Sequence, residues 1–257
     1  YQYNFCPAVA CLIFRLLGAV TTSSGALLGK PDSAGGGHLW PTVPVPCRDD
    51  LAVVAQQHFN KTGRAVEIGV HQGKFAAKNL QHWRGRYYMI DAWAFNPDGS
   101  PDCWDCSDNM RIAKARVRFA GGRARVIRAF SLEAAKQFAN QSFDWIYIDA
   151  LHSYEAVSAD LAAWYPKLRH GGLFSGDDYS DMHDTPLLAA LRSQQAVARF
   201  AKPIEGHTGE DIARIPSQER WGTIRAVNRF ARRHGHQLFV TWLSDCYAYP
   251  AWYMIKA

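Results

Sequence analysis

The chain has 257 residues, 48% of them apolar and 20% charged, with a formal net charge of +6. That composition is ordinary for a soluble globular protein, and the length suits one large α/β domain or two small ones with a real core. Six cysteines are too sparse for a disulfide scaffold. The basic clusters "RIAKARVRF" and "RFARRHGH" come without a DNA- or RNA-recognition motif, so nucleic acid is not expected as a partner.

The first apolar stretch, "PAVACLIFRLLGAV", falls short of the ~20 residues a spanning helix needs and is interrupted by Arg15. It reads either as the core of a signal or transit segment whose start is missing, or as an amphipathic helix packed on the domain. No stable membrane span is expected, and the compartment defaults to the cytoplasm. Residues 21–48 are rich in Gly, Pro and Ser, so residues 1–48 read as an arm and linker and 49–257 as the main domain. The triplets at Asn60 and Asn140 are glycosylation acceptors only if the chain is secreted.

"RDDLAVVAQQHFN" has helical spacing. The chain then alternates: strand "AVEIG", helix "GKFAAKNLQHW", strand "YYMIDAW". After the turn-rich "NPDGSPDCWDC", "SDNMRIAKARVRFA" reads as a helix with a Ser/Asp cap. Strand "RVIRAF" precedes helix "SLEAAKQFANQ", with Ser131 as its cap. Strand "DWIYIDA", helix "SYEAVSADLAAWYPKL" and a strand opening "GGLFSGDD" follow. Helices "PLLAALRSQQAVARFA" and "TIRAVNRFARRHG" and strands "QLFVTWL" and "AWYMIKA" close the chain. The pair Cys103/Cys106 reads as two loop thiols or a local bridge ahead of a redox motif or half a zinc site.

Alternating strands and helices predict a doubly wound, Rossmann-like α/β fold: a mostly parallel sheet with helices on both faces. Ligands in such folds bind beyond the carboxyl ends of the strands. The residues there are 67–73, 91–93, 130–131, 149–152 and 177–179, and four of these five groups contain acids.

The loop "EIGVHQGKF" is not a phosphate-binding P-loop. Only three residues separate Gly69 from Gly73, and Phe75 replaces the hydroxyl that would hold magnesium. A dinucleotide fingerprint is weakened by His71, which stands where a close-approach glycine belongs. An E-x-G-x-x-x-G loop would instead let the backbone approach a nucleoside with an amino-acid tail, with Glu67 attracting an ammonium or sulfonium group. Asp91 follows about 20 residues later at a strand end, suited to ribose hydroxyls; the alternative is a cap or turn role.

"VEIGVHQGKFAAKNL", "YYMIDAW", "DWIYIDALHSYEAVSADLAAWYPKLRHGGLFSGDDY" and "PAWYMIKA" together resemble class I S-adenosylmethionine-dependent methyltransferases, in particular the macrocin-type sugar and macrolide O-methyltransferases. The resemblance covers roughly residues 50–257. It implies a seven-stranded sheet with the last strand antiparallel. It also implies S-adenosylmethionine as cofactor, with Glu67, Gly69 and Gly73 around its methionine moiety, Asp91 on the ribose and Ser131 near the adenine.

Methyl transfer to a hydroxyl needs the acceptor positioned and its proton removed. Asp149, Asp177 and Asp178 follow neighbouring strands and form a hard-oxygen set suited to Mg²⁺. In the resembling enzymes, acids at these positions bind the metal. Their alternatives are a helix cap for Asp178, a water ligand for Asp177 and a backbone-amide acceptor for Asp149. His152 reads as a general base, a substrate ligand, a metal neighbour or a cap; for His71, loop packing is favoured. Residues 180–222 exceed a plain crossover and read as a substrate lid. The loop carrying Trp93 and Trp104 is a second candidate wall.

The expected function is S-adenosylmethionine-dependent, metal-assisted O-methyl transfer to a small hydroxylated molecule such as a glycoside or phenol, with Asp149 and His152 at the reacting hydroxyl. A homo-oligomer is compatible with this reading. The alternatives are a nicotinamide-dependent oxidoreductase, which the absence of a Tyr-x-x-x-Lys in "YEAVSADL" disfavours, and a non-catalytic cofactor-binding module of the same fold.

Overall fold

A computed structural model describes residues 45, 47–58, 63–94, 106–180, 221–241 and 249–257. All belong to the compact unit Leu39–Ala257. Most of the arm and linker, Asn60, Cys103, Trp104, the expected helix after Pro186 and residues 181–220 of the expected lid lie outside the described residues.

Helix α1 (Arg48–His58) leads into β1 (Arg64–Ile68), α2 (Lys74–His82) and β2 (Arg86–Asp91). Then come α3 (Cys106–Arg116), a 3₁₀ turn, β3 (Ala124–Arg128), the short α4 (Ser131–Ala135) and β4 (Phe143–Ile148). The rest comprises α5 (Tyr154–Trp164), β5 (Leu168–Gly176), α6 (Thr223–His234), β6 (Phe239–Val240) and β7 (Trp252–Ile255). The seven strands form one sheet in the order β3-β2-β1-β4-β5-β7-β6. β1 pairs in parallel with both β2 and β4, and β5 with β4, whereas β7 runs antiparallel to β5 and β6. The expected fold class is therefore found, reversed final strand included. Strand order turns around at β1 and β4, the place where a doubly wound sheet opens a crevice.

Alternation along the strands fixes the two faces. Val66, Ile68 and Ile90 join Val157, Leu161, Trp164, Ile224 and Val227 of α5 and α6 in one core. Ala65, Met89, Trp145 and Tyr147 join Leu51, Phe75, Leu80 and Ala113 of α1 to α3 in the other. Each fully buried large side chain contributes about 1.5–3 kcal/mol. α1 buries Leu51 and Ala55, and Ala52 and Gln56, two pairs at the i, i+4 spacing of one helix face.

Three local expectations are corrected. α3 starts at Cys106, so Ser107 and Asp108 lie in its first turn rather than capping it; Cys106 itself is disulfide-bonded. The helix expected over 131–141 stops after Ala135 and tightens into turns, because Phe138 is drawn against Tyr88, Phe143 and Trp164 at ring separations of 5.3, 4.9 and 5.9 Å. Ser131 is not a cap. Phe130 holds the N-cap position, and the Ser131 hydroxyl donates to Asp160 while accepting from Trp164 Nε1 at 2.9 Å.

Candidate active site

The site is built where β1, β4 and β5 end side by side. Asp149 N donates to Ile68 O at 2.7 Å and Asp177 N to Ile148 O at 2.9 Å, so the three strand ends are laced together by backbone bonds. Gly69 follows β1 with φ 86°, and a Cβ there would lie 1.7 Å from Asp149 O. Only glycine permits this approach. Gly73, at φ 71°, occupies the N-cap position of α2 against Ala113 and Met89.

Asp91 ends β2 and holds the first loop. Its Oδ2 accepts from Val70 N at 2.9 Å and His71 N at 2.8 Å, and its Oδ1 accepts from Trp93 N at 2.7 Å. Of the roughly four acceptor positions of a carboxylate, three are thereby used. The loop-holding alternative is thus realised, and the carboxylate still faces a cavity of about 610 Å³. That cavity is lined by Gly69, Asp91, Phe130, Ser131, His152 and Asp160 among others, and its size falls within the range of about 300–1,000 Å³ typical of small-molecule sites. Burial raises the Asp160 carboxyl to about 6, against the opposing effect of the Ser131 hydrogen bond.

Glu67 does not line the cavity. It points to the α1–α3 side of the sheet, 1% exposed, and accepts from Tyr87 Oη at 2.9 Å; Tyr87 in turn accepts from Asn79 Nδ2 at 2.7 Å. Burial pushes its carboxyl up to about 8, further raised by Asp149 and opposed by Tyr87 and Arg48. His71 has φ 50° and its carbonyl accepts from Trp93 Nε1 at 2.8 Å, so its backbone is part of the loop packing.

The second acid group divides. Asp149, His152 and Asp178 each offer one ligand atom within 4.8 Å of the other two, a set that could hold a metal ion. His152 Nε2 is 3.0 Å from Asp178 Oδ2 and 3.8 Å from Asp149 Oδ1. The nearer contact is an ion pair with poor hydrogen-bond geometry, and Nε2 is buried without a hydrogen-bond partner. Burial works against the imidazolium, but the two carboxylates outweigh it and push His152 up to about 10. The ring stacks on Trp221, centroids 4.7 Å apart. His152 is not the cap of α5; Ser153 is, accepting from Ala156 N. Asp177, by contrast, is paired with Arg48 and is not one of the three.

Arg48 is the residue the sequence reading missed. It is the first residue of α1, about 100 positions from Asp149 at the junction of the linker and the first expected helix, and no motif marks it. Its guanidinium hydrogen-bonds Asp177, lies 3.7 Å from Asp149 Oδ2, and stands over the Phe75 ring at 5.1 Å.

Residues 66–179 match the profile of a family described as a methyltransferase domain. Over this segment the chain is similar to methyltransferase domains. Solved structures share the fold at low identity. A Corynebacterium glutamicum protein is 19% identical, with 84% of this chain and 83% of that one covered at a TM-score of 0.52. An O-methyltransferase from Bacillus cereus in complex with SAH is 15% identical, with 81% and 80% covered at a TM-score of 0.50. No curated protein matches the chain significantly. Among the described residues, no helix is long and apolar enough to cross a membrane.

Proposed function

We propose that the protein transfers a methyl group from S-adenosylmethionine to a hydroxyl of a small molecule, such as a glycoside or phenol, with a divalent cation, Mg²⁺ by preference, assisting. One observation carries this reading: the convergence of Asp149, His152 and Asp178, the first two of which line the cavity. His152 Nε2, buried and without a well-formed hydrogen bond, and the hard-oxygen character of the two acids fit a small cation.

S-adenosylmethionine, when bound, supplies a methyl group on a positively charged sulfur with a good leaving group. Gly69 lets the first loop pass close to the end of the fourth strand, and Asp91 holds that loop beside the cavity by two backbone bonds. Ile68, Ile90 and Leu132 give the cavity an apolar wall that excludes water from the reacting atoms. Asp91 and Ser131 are assigned to the ribose and adenine ends of the cofactor, and Gly73 and Glu67 support the loop from behind.

A divalent cation held by Asp149, His152 and Asp178 would lower the pKa of an acceptor hydroxyl. As an imidazolium His152 has no lone pair, so whether Nε2 ligates the cation or, in place of that, takes the acceptor's proton, its own proton must first be lost. Asp149 orients the hydroxyl. Residues 180–222 are assigned to the acceptor, because both ends of the segment, at Ser180 and Trp221, are anchored beside this group.

The test is methyl transfer to a panel of hydroxylated acceptors with and without chelator. Turnover that is abolished by chelator and restored by Mg²⁺ supports the reading. Turnover indifferent to chelator removes the metal from it, and transfer confined to amine or thiol acceptors removes the hydroxyl.

A further inference from the structure

Four acidic side chains crowd the carboxyl ends of β1, β4 and β5: Glu67, Asp149, Asp177 and Asp178. Among the described residues, Arg48 and His152 are the basic side chains that pair with these aspartates. They divide the work by side. His152 lies between Asp149 and Asp178, at the cavity. Arg48 comes from the helix before β1 and takes Asp177, which is 5% exposed.

Arg48 is fixed in this position. Its guanidinium is 14% exposed, stands over the Phe75 ring and extends to within 3.7 Å of Asp149 Oδ2. An arginine so placed keeps its charge at every relevant pH. Asp177 gives Oδ2 to Arg48, while its other oxygen, Oδ1, is buried without a hydrogen-bond partner. One of its two oxygens is therefore available to a cation if the carboxylate is released to turn.

We propose that Arg48 is a positioning residue and the resident counter-cation of this cluster. It draws Asp177 away from the pocket of Asp149, His152 and Asp178, and it opposes a divalent cation bound there. The inference rests on the metal-assisted reading above and deepens it. The three-ligand set is a consequence of Arg48, and metal affinity is held down by a positive charge built into the fold.

The test is Mn²⁺ binding to the full chain, followed by electron paramagnetic resonance of the free ion, with melting temperatures taken with and without Mn²⁺. Arg48→Met is expected to bind Mn²⁺ about fivefold tighter or better, because a nearby charge is gone and Asp177 is released. Its melting temperature, lowered without metal, recovers more on adding Mn²⁺ than the wild type gains. Arg48→Lys keeps the charge and stays within about twofold of wild-type affinity. Asp177→Asn also stays within about twofold, whereas Asp149→Asn and Asp178→Asn each lose about tenfold or more.

Loss of about tenfold in Asp177→Asn would make Asp177 itself a ligand and overturn the inference alone. Unchanged or weaker binding in Arg48→Met would leave Arg48 a purely structural pair and also overturn it. If Arg48→Met does not fold, Arg48→Lys and Asp177→Asn decide. A wild-type protein that binds no Mn²⁺ overturns both this inference and the metal-assisted reading.

Discussion

Gly69 and Asp149 meet backbone to backbone: a Cβ on residue 69 would lie 1.7 Å from the Asp149 carbonyl oxygen. The two loops that frame the cavity are therefore held at a separation that only glycine allows. Gly69→Ala is expected to push them apart, lowering the melting temperature and weakening S-adenosylhomocysteine binding by about tenfold or more. Calorimetry and a thermal melt of the same sample check this. An alanine variant with wild-type affinity would mean the loop does not contact the cofactor.

The position of Glu67 predicts an inverted pH dependence of stability. Its folded carboxyl titrates near 8, against an ordinary value of 4.5. Below pH 4.5 the group is protonated in both states and there is no penalty. As pH rises from 4.5 toward 8 the unfolded chain releases the proton and the folded one keeps it, so stability falls; above 8 the loss is constant. Glu67→Gln should match the wild type below pH 4.5 and exceed it increasingly up to pH 8. Melting temperatures of the two proteins across that window give the answer, and a difference that does not change with pH contradicts it.

Ser131 joins α4 to α5 through Asp160 and Trp164. Ser131→Ala leaves the buried Asp160 carboxylate without that donor and Trp164 Nε1 without that acceptor, a loss of about 1–3 kcal/mol. Chemical denaturation should show the full loss in Ser131→Ala and a smaller effect of the same change in an Asp160→Asn background. Equal losses in both backgrounds would show that the two residues are not coupled.

Asp91 has two roles, one structural and one proposed. Asp91→Asn keeps the shape but turns one acceptor into a donor, so one of the three loop hydrogen bonds is lost. S-adenosylhomocysteine should bind about tenfold more weakly or worse while the fold survives. Circular dichroism and calorimetry separate these readouts. Undiminished affinity would leave Asp91 a loop anchor only.

Much of this was legible in the sequence because the strands are short apolar runs and the helices between them have clear spacing. That fixed the parallel sheet, and the strand ends then located Gly69, Asp91, Asp149, His152 and Asp178 on one edge. Alternation places Glu67 on the face of Ala65, away from Val66 and Ile68, whereas its place at the head of an E-x-G-x-x-x-G loop points to a cationic ligand. Ser131 looked like a helix cap because serine often is one; its hydroxyl is instead taken by tertiary partners that local sequence does not show. Arg48 was illegible for a stronger reason. Its acidic partners lie more than 100 residues away, and only the packing of α1 against α2 and the sheet brings it to Asp177.

The central claim is that the cavity beyond β1, β2 and β4 takes a methyl donor. The most direct measurement is titration calorimetry of S-adenosylhomocysteine into the full chain, with NAD as the control. A single site of about micromolar affinity, with no heat from NAD, is the predicted result. Tight NAD binding with none for S-adenosylhomocysteine would contradict it.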